Sequence, residues 1–193
     1  MAAQPPIIIV SGPSGVGKST VIRRVLRECG LPLRLSVSAT TRAPRGGEQD
    51  GVHYYFWSRE HFRRKVEAGR FLEWAEVVGN WYGTPLAEVD KARQEGYGVI
   101  LDIDVQGAAQ IRAKVPGCLS IFLYAPSLEE YERRLRLRGT ESEAAIARRL
   151  DNARRELEHR GEYTYQVENA DLDAAVREVC ELIKRYFDAT NKP

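Results

Sequence analysis

Gly12-Pro13-Ser14-Gly15-Val16-Gly17-Lys18-Ser19 follows the spacing Gly-x-x-x-x-Gly-Lys-Ser, with Thr20 next. Each residue type in it suits the holding of a nucleoside triphosphate. The glycines let the backbone wrap closely around an oxyanion with its N–H groups turned inward, Lys18 is spaced to reach the β- and γ-phosphates, and the Ser19 hydroxyl can ligate Mg²⁺. The plain alternative is a glycine-rich turn without chemistry, and the flanks decide against it. Ile7-Ile8-Ile9-Val10 is a short apolar run bounded by Pro5-Pro6 and Ser11-Gly12, as for a strand buried on both faces. After the loop, Val21, Ile22, Val25, Leu26 and Cys29 fall on one side of a helix that Gly30 and Pro32 end. A helix starting at the loop adds its positive dipole end to the anion site.

The elements beyond the loop must bring further groups to it. Strands and helices alternate along the chain, predicting an α/β fold with a mainly parallel sheet flanked by helices. Val99-Ile100-Leu101-Asp102-Ile103-Asp104 reads as a second buried strand that ends in acidic residues, where open α/β sheets hold their ligands. Asp102 is the choice for the metal, with Asp104 the competitor. Leu119 to Tyr124 is a third strand, followed by a helix opened by Ser127 with Glu130 three residues on. Tyr165 and Val167 mark a late short strand, and Leu172, Val176, Val179, Ile183 and Tyr186 fit a closing amphipathic helix.

Composition bounds the partners. The 193 residues allow one domain with a substantial core, and 29 Lys plus Arg against 27 Asp plus Glu leave a net charge of +2, too little for a nucleic-acid or membrane binder. Cys29, Cys118 and Cys180 are odd in number and set in apolar segments, which suits buried thiols in a reducing compartment. The N-terminal Met-Ala-Ala-Gln-Pro-Pro has no basic segment and the next apolar run is too short for a signal or a span, so a cytoplasmic location is expected.

Between Leu33 and Gly98 the chain changes character, becoming rich in Tyr, Trp, Gly and Arg, as if a second ligand binds there. Leu33, Leu35 and Val37 alternate with Arg34, Ser36 and Ser38 as in a half-covered strand. Arg42 and Arg45 follow among prolines and glycines. They could be solvated loop charges, but a phosphotransferase needs a second anionic substrate in line with the γ-phosphate, and planar guanidinium groups suit that task.

Several motifs together make the chain resemble the guanylate kinase family from end to end. They are Gly12 to Thr20, Ser36-Val37-Ser38-Ala39-Thr40-Thr41-Arg42-Ala43-Pro44-Arg45, Phe71-Leu72-Glu73-Trp74-Ala75, Gly79-Asn80-Trp81-Tyr82-Gly83-Thr84, Leu101-Asp102-Ile103-Asp104-Val105-Gln106-Gly107 and Arg138-Gly139-Thr140-Glu141. The resemblance implies transfer of a phosphoryl group from ATP to GMP, with Mg²⁺, by a single domain 1–193. That domain would comprise a core (about 1–36, 97–127 and 160–193), a GMP-binding lobe (about 37–96) and a lid (about 128–159). It also implies that Ser38, Arg42, Arg45, Tyr54 and Tyr82 hold the GMP phosphate, Tyr55 adjoining Tyr54, while Glu73, Thr84 and Asp104 surround the guanine. Arg134, Arg138 and Arg149 of the lid would face the phosphates, and Asn169 the adenine, although a lone Asn before a helix is also a usual cap or turn residue. ATP, GMP and dGMP are the implied substrates, without nucleic acid, membrane or obligate protein partner.

The case for Glu73 stands without the family. Guanine presents two adjacent donors, N1–H and the exocyclic amine, which a carboxylate matches with two acceptors. Adenine has no donors there. The competing reading is an outward-facing Glu on a strand from Phe71 to Val78. Among the lid arginines, Arg133, Arg136 and Arg148 are read as solvated helix surface. No general base is needed, because the acceptor oxygen belongs to a phosphate already ionised at neutral pH; His53, His61 and His159 are therefore read as structural or exposed. Two other classes remain conceivable: a docking module that keeps the fold but has lost catalysis, which the intact Lys18 and Ser19 oppose, and a kinase for another small acceptor, which Glu73, Thr84 and Tyr82 oppose.

Overall fold

A computed structural model describes residues 4–137 and 142–190. The elements in chain order are β1 (Ile7–Ser11), α1 (Lys18–Glu28), β2 (Leu33–Leu35), β3 (Ala39–Thr40), β4 (Tyr55–Phe56), α2 (Arg59–Glu67), β5 (Phe71–Val77) and β6 (Asn80–Pro85). There follow α3 (Leu86–Gln94), β7 (Gly98–Asp102), α4 (Val105–Lys114), β8 (Leu119–Tyr124), α5 (Leu128–Leu137), α6 (Glu143–Glu158), a 3-10 turn (His159–Glu162), β9 (Tyr165–Glu168) and α7 (Leu172–Thr190).

β1 lies at the centre of a parallel five-stranded sheet of order β2-β7-β1-β8-β9. Its alternate side chains serve opposite faces, as strand pleating requires. Ile8 and Val10 join Val21, Ile22 and Val25 of α1 and Val176, Val179 and Ile183 of α7. Ile7 and Ile9 join Val89 and Ala92 of α3 and Ala108 and Ile111 of α4. A strand covered on both sides favours apolar side chains throughout, which is why Ile7 to Val10 reads as an unbroken apolar run before the buried Ser11.

The second sheet, of order β4-β3-β6-β5, is mixed: β3 pairs with β4 in parallel and with β6 antiparallel, and β5 with β6 antiparallel. Its small core holds Ala39, Phe62 and Phe71, with Trp57 and Trp81 packed alongside and the Phe62 and Phe71 rings stacked at 4.4 Å. Much of the aromatic content that marks this stretch of sequence thus builds the lobe rather than touching a ligand. α3 falls within residues 37–96 yet packs on the core sheet through Val89 and Ala92. α5, at the start of residues 128–159, likewise sends Tyr131 into the main core.

Three strands end earlier than the sequence pattern predicts. β7 stops at Asp102 because Asp104 caps α4, its carboxylate accepting the Gly107 N–H at 2.8 Å, so the chain turns out of the sheet before Asp104. β2 ends at Leu35, short of Val37. β5 stops at Val77, since Val78 and Gly79 form the two-residue link to β6 with φ of 50° and 74°. The cysteines are free thiols, Cys29 and Cys180 buried near one another between α1 and α7.

A β-branched residue in the left-handed region is strained, whereas Asn tolerates it. Val78→Asn, at an 83% exposed position, is expected to stabilise the protein by about 1 kcal/mol; a shift of the urea midpoint to higher concentration at unchanged slope is the readout, and an unchanged or lower midpoint contradicts it.

Candidate active site

The register between β1 and β7 pairs Val10 with Asp102, so the loop after β1 opens beside the acidic end of β7. Gly12 has φ 143°, and a Cβ there would run into the carbonyl oxygen of Leu123 on β8. Gly17, φ 95°, ends the loop in the left-handed conformation, where a Cβ would meet the Asn169 amide at 2.9 Å. α1 then starts with no side-chain cap and no acidic residue in its first turn, leaving its N–H groups to an incoming anion. Lys18 Nζ donates to the Gly12 carbonyl at 2.6 Å. Asp102 stands beside Lys18 and the Ser19 hydroxyl, and burial holds its carboxyl above the usual range against the pull of both.

Two connected chambers lie in front of the loop. The smaller, about 270 Å³, is lined by Ser38, Tyr54, Glu73, Tyr82 and Asp104 as well as Gly12, Ser14, Lys18 and Asp102. The larger, about 840 Å³, is lined by the loop from Pro13 to Thr20 except Val16, and by Arg42, Arg45, Arg149 and further residues of α6. Val16 is instead fully buried and anchors the loop in the core.

Glu73 is 3% exposed, and the outward-facing alternative for it is excluded. It sits opposite Thr84 in the β5–β6 ladder and accepts the Thr84 hydroxyl at 2.7 Å. Its second oxygen lies where a Cβ on Gly107 would come within 2.5 Å, so only glycine in the first turn of α4 leaves this carboxylate its room. Burial, with Asp104 adding to it, pushes Glu73 up to about 7. Tyr54 is turned to the cleft beside Tyr82, ring centroids 6.1 Å apart, while Tyr55 donates its hydroxyl to Glu88 at 2.7 Å. Burial, more than the nearby Asp102, raises the Tyr54 phenol to about 12, so it stays a hydrogen-bond donor.

The arginines differ in their tethers. Arg42 holds Glu48 through two hydrogen bonds of 2.9 Å, and the Arg45 N–H donates to the same carboxylate at 2.7 Å. Arg149 donates to the Ser14 hydroxyl at 2.9 Å. Arg134 does not line either chamber: it donates to the carbonyls of Val16 and Asn169 and to Glu130. Asn169 too is spent on the loop, its amide donating to the Val16 carbonyl at 2.7 Å. Arg138 lies outside the described residues. Arg133 and Arg136 pair with neighbouring glutamates on exposed helix, as read from the sequence. Arg148 does not keep to open helix surface but lines the larger chamber, because Ala145, Arg148, Arg149, Asn152, Arg155 and Glu156 share one stripe of α6 at spacings of three and four. That spacing was the signal by which Arg148, Arg155 and Glu156 could have been grouped with Arg149. No histidine lines either chamber among the described residues, His53 accepting from the Gln49 N–H and His159 pairing with Glu162.

A parallel sheet whose first strand feeds a phosphate-cradling loop and a bare helix start, faced by a second chamber of arginines and buried carboxylates, defines a nucleotide phosphotransferase of the P-loop kinase class. The family model for guanylate kinase matches residues 4–186. Guanylate kinase of Rubrobacter xylanophilus is 51% identical over 179 residues, covering 93% of each chain, and that of Prochlorococcus marinus is 48% identical over 178 residues, covering 92% of this chain and 96% of its own. The crystal structure of guanylate kinase from Anaplasma phagocytophilum superposes with a TM-score of 0.79 at 32% identity, covering 99% of this chain and 92% of that one. The chain belongs to the guanylate kinase family, and its reaction is the ATP-dependent phosphorylation of GMP to GDP.

Raised from 4.5 to about 7, Glu73 keeps in the folded state a proton that the unfolded chain releases between those pH values. Stability therefore falls as pH rises through that window, by at most about 3 kcal/mol for this group. Glu156 is lifted likewise to about 7 and adds a slope of its own, so the test is a difference: Glu73→Gln should flatten the decline of unfolding free energy between pH 4.5 and 7 and be the more stable protein at pH 8. An identical pH profile for variant and parent contradicts the assignment.

Proposed function

We infer that the cleft holds ATP on the loop and GMP in the smaller chamber, with the residues acting as follows. Gly12 to Thr20 cradle the triphosphate, Lys18 bridges its terminal phosphates, and Ser38, Arg42, Arg45, Tyr54 and Tyr82 hold the GMP phosphate in line with it. Glu73 accepts the guanine N1–H and amine, Thr84 fixes Glu73, and Asp104 borders the base. The observation that carries this reading is the Glu73–Thr84 pair, a nearly unexposed carboxylate in the same chamber as Lys18. A site built around buried polar groups rejects a ligand that leaves them unpaired, here AMP, by roughly 10⁴-fold.

Magnesium fits this donor set. Among the described residues no three His, Cys, Asp or Glu side chains converge, so the protein offers the hydroxyl of Ser19 and the carboxylate of Asp102, and phosphate oxygens and water complete the shell that Mg²⁺ ordinarily keeps. The ion, when bound, neutralises charge on the β- and γ-phosphates. Asp104 is committed to the start of α4, which favours Asp102 for this role.

Two polyanions repel each other, so the chain's own cations must bring them together. Arg149 on α6, with Arg138, is assigned to the transferring group, where a guanidinium can supply several kcal/mol in the transition state, while Arg134 braces the loop from behind. Closure of residues 128–159 over the core (about 1–36, 97–127 and 160–193) and the lobe (about 37–96) would exclude water and suppress hydrolysis. Asn169 holds the loop against the adenine end. Three free thiols and the absence, among the described residues, of a helix long and apolar enough to cross a membrane support a cytoplasmic setting. The surface reading extends to dGMP as a second acceptor, with no nucleic acid, membrane or obligate protein partner.

ADP formation measured with GMP, AMP, CMP, UMP, dTMP and no acceptor should give turnover with GMP alone. Glu73→Ala is expected to lower kcat/KM for GMP by several hundredfold and bring GMP and AMP within tenfold of each other, with KM for ATP nearly unchanged; retained selectivity refutes the assignment. Arg149→Ala should lower kcat at least 100-fold while GMP affinity, read by calorimetry, moves less than fivefold; the reverse pattern would make it a binding residue only.

A further inference from the structure

Glu156 lines both chambers of the cleft, and nothing in the reaction so far employs it. It projects from α6 two turns after Arg149, on the same stripe. Its carboxyl makes no hydrogen bond or ion pair with any described residue; Lys18, Asp104 and His159 act on it only across space. The other carboxylates of the smaller chamber have protein groups beside them: Glu73 accepts the Thr84 hydroxyl, Asp104 accepts the Gly107 N–H, and Asp102 stands beside Lys18 and Ser19.

Glu156 is only partly covered, yet a carboxylate with no donor from the protein is costly once water leaves it, and burial already pushes it up to about 7. When a nucleotide displaces that water, the donor must come from the nucleotide. A nucleotide has three parts to offer. Phosphate oxygens are anionic acceptors and are repelled; the guanine edge with its donors is matched by Glu73; the ribose carries neutral hydroxyl donors that a carboxylate accepts well. We propose that Glu156 is a specificity-determining residue that accepts hydrogen bonds from the ribose hydroxyls of GMP. The proposal rests on the reading that guanine lies at Glu73 and the phosphate at Arg42 and Tyr82, which leaves the sugar between them in the chamber Glu156 shares with Glu73. The contact has a second consequence. Glu156 and Arg149 ride on one helix, so a ribose that holds Glu156 also steadies the part of α6 that carries Arg149 to the phosphates.

Steady-state kinetics at saturating ATP with GMP, 2′-deoxy-GMP and 3′-deoxy-GMP test this in the parent enzyme, Glu156→Gln and Glu156→Ala. The parent should prefer GMP to at least one deoxy analogue. Glu156→Ala should raise KM for GMP about 10- to 100-fold, the worth of a hydrogen bond to a charged group, while KM for the disfavoured analogue changes less than twofold, so the preference disappears. Glu156→Gln keeps one carbonyl acceptor and should fall between; its similar shape carries the comparison if the alanine variant does not fold, as judged by its melting curve. A parent enzyme blind to both hydroxyls overturns the proposal. So does a Glu156 variant that loses GMP and the deoxy analogues equally, or that raises KM for ATP alone, for the carboxylate would then serve Lys18. The underlying placement of guanine fails separately, through unchanged base selectivity in Glu73→Ala.

Discussion

The structure turns on a brace behind the phosphate loop. A loop can aim several N–H groups at one anion only if its carbonyls find partners elsewhere, and the Val16 carbonyl has two: the Asn169 amide at 2.7 Å and the Arg134 guanidinium at 3.1 Å. Asn169 is itself tied to the end of β8, its N–H donating to the Tyr124 carbonyl at 2.7 Å, and Arg134 also holds the Asn169 carbonyl. The central sheet, the start of α7 and the helix α5 thus converge on one peptide group of the loop. Gly12 completes the support from the other end by lying against the Leu123 carbonyl, closer than any side chain allows. Loop shape is therefore set by the sheet, and the nucleotide meets a cradle formed in advance.

How much of this was legible from sequence depended on whether the pattern was local. β1, the loop, α1, β8 and α7 announce themselves because burial on two faces, a fixed motif spacing and a 3.6-residue stripe are written in consecutive residues. The central strands of the parallel sheet were placed to within two residues. The ends that differ have particular causes: the apolar neighbours of Asp104 continue a strand-like run, whereas its short carboxylate makes a helix cap. Val78 is of a type that favours strands, whereas Gly79 beside it forms a turn. For Arg134 and Asn169 no local pattern hints that both end on the same carbonyl, since that meeting joins positions 118 and 153 residues away from Val16.

The cleft also inverts an ordinary expectation about binding anions. Its smaller chamber contains four carboxylates, Glu73, Asp102, Asp104 and Glu156, and of these Glu73, Asp102 and Glu156 are held above their usual range by burial. Net positive charge is not what makes the site. Glu73 and Asp104 are instead matched to donors of the protein, a hydroxyl and a backbone N–H. This division of labour explains why a chain with a net charge of only +2 handles two polyanions. The cations of the larger chamber lie on loops, on α1 and on one stripe of α6, while acids line the smaller chamber.

The Arg42–Glu48 pair follows the same logic one step further. With both partners mostly covered and two parallel hydrogen bonds between them, the pair fixes the guanidinium plane before any ligand arrives. The Tyr54 ring, 5.5 Å from the guanidinium carbon, borders it on another side. A free arginine would lose rotamer freedom on meeting a phosphate, an entropic cost of about 1 to 2 kcal/mol that a tethered one has already met in folding. The tether has an opposing effect, because Glu48 neutralises part of the charge and lies near the incoming dianion. Arg45, whose backbone N–H donates to the same carboxylate, sends its side chain to the lining of the larger chamber, where its charge acts on Glu48 only across space. The two arginines thus differ in constraint, one fixed in direction by its ion pair and the other held only through its backbone, in a loop too short to position both by secondary structure.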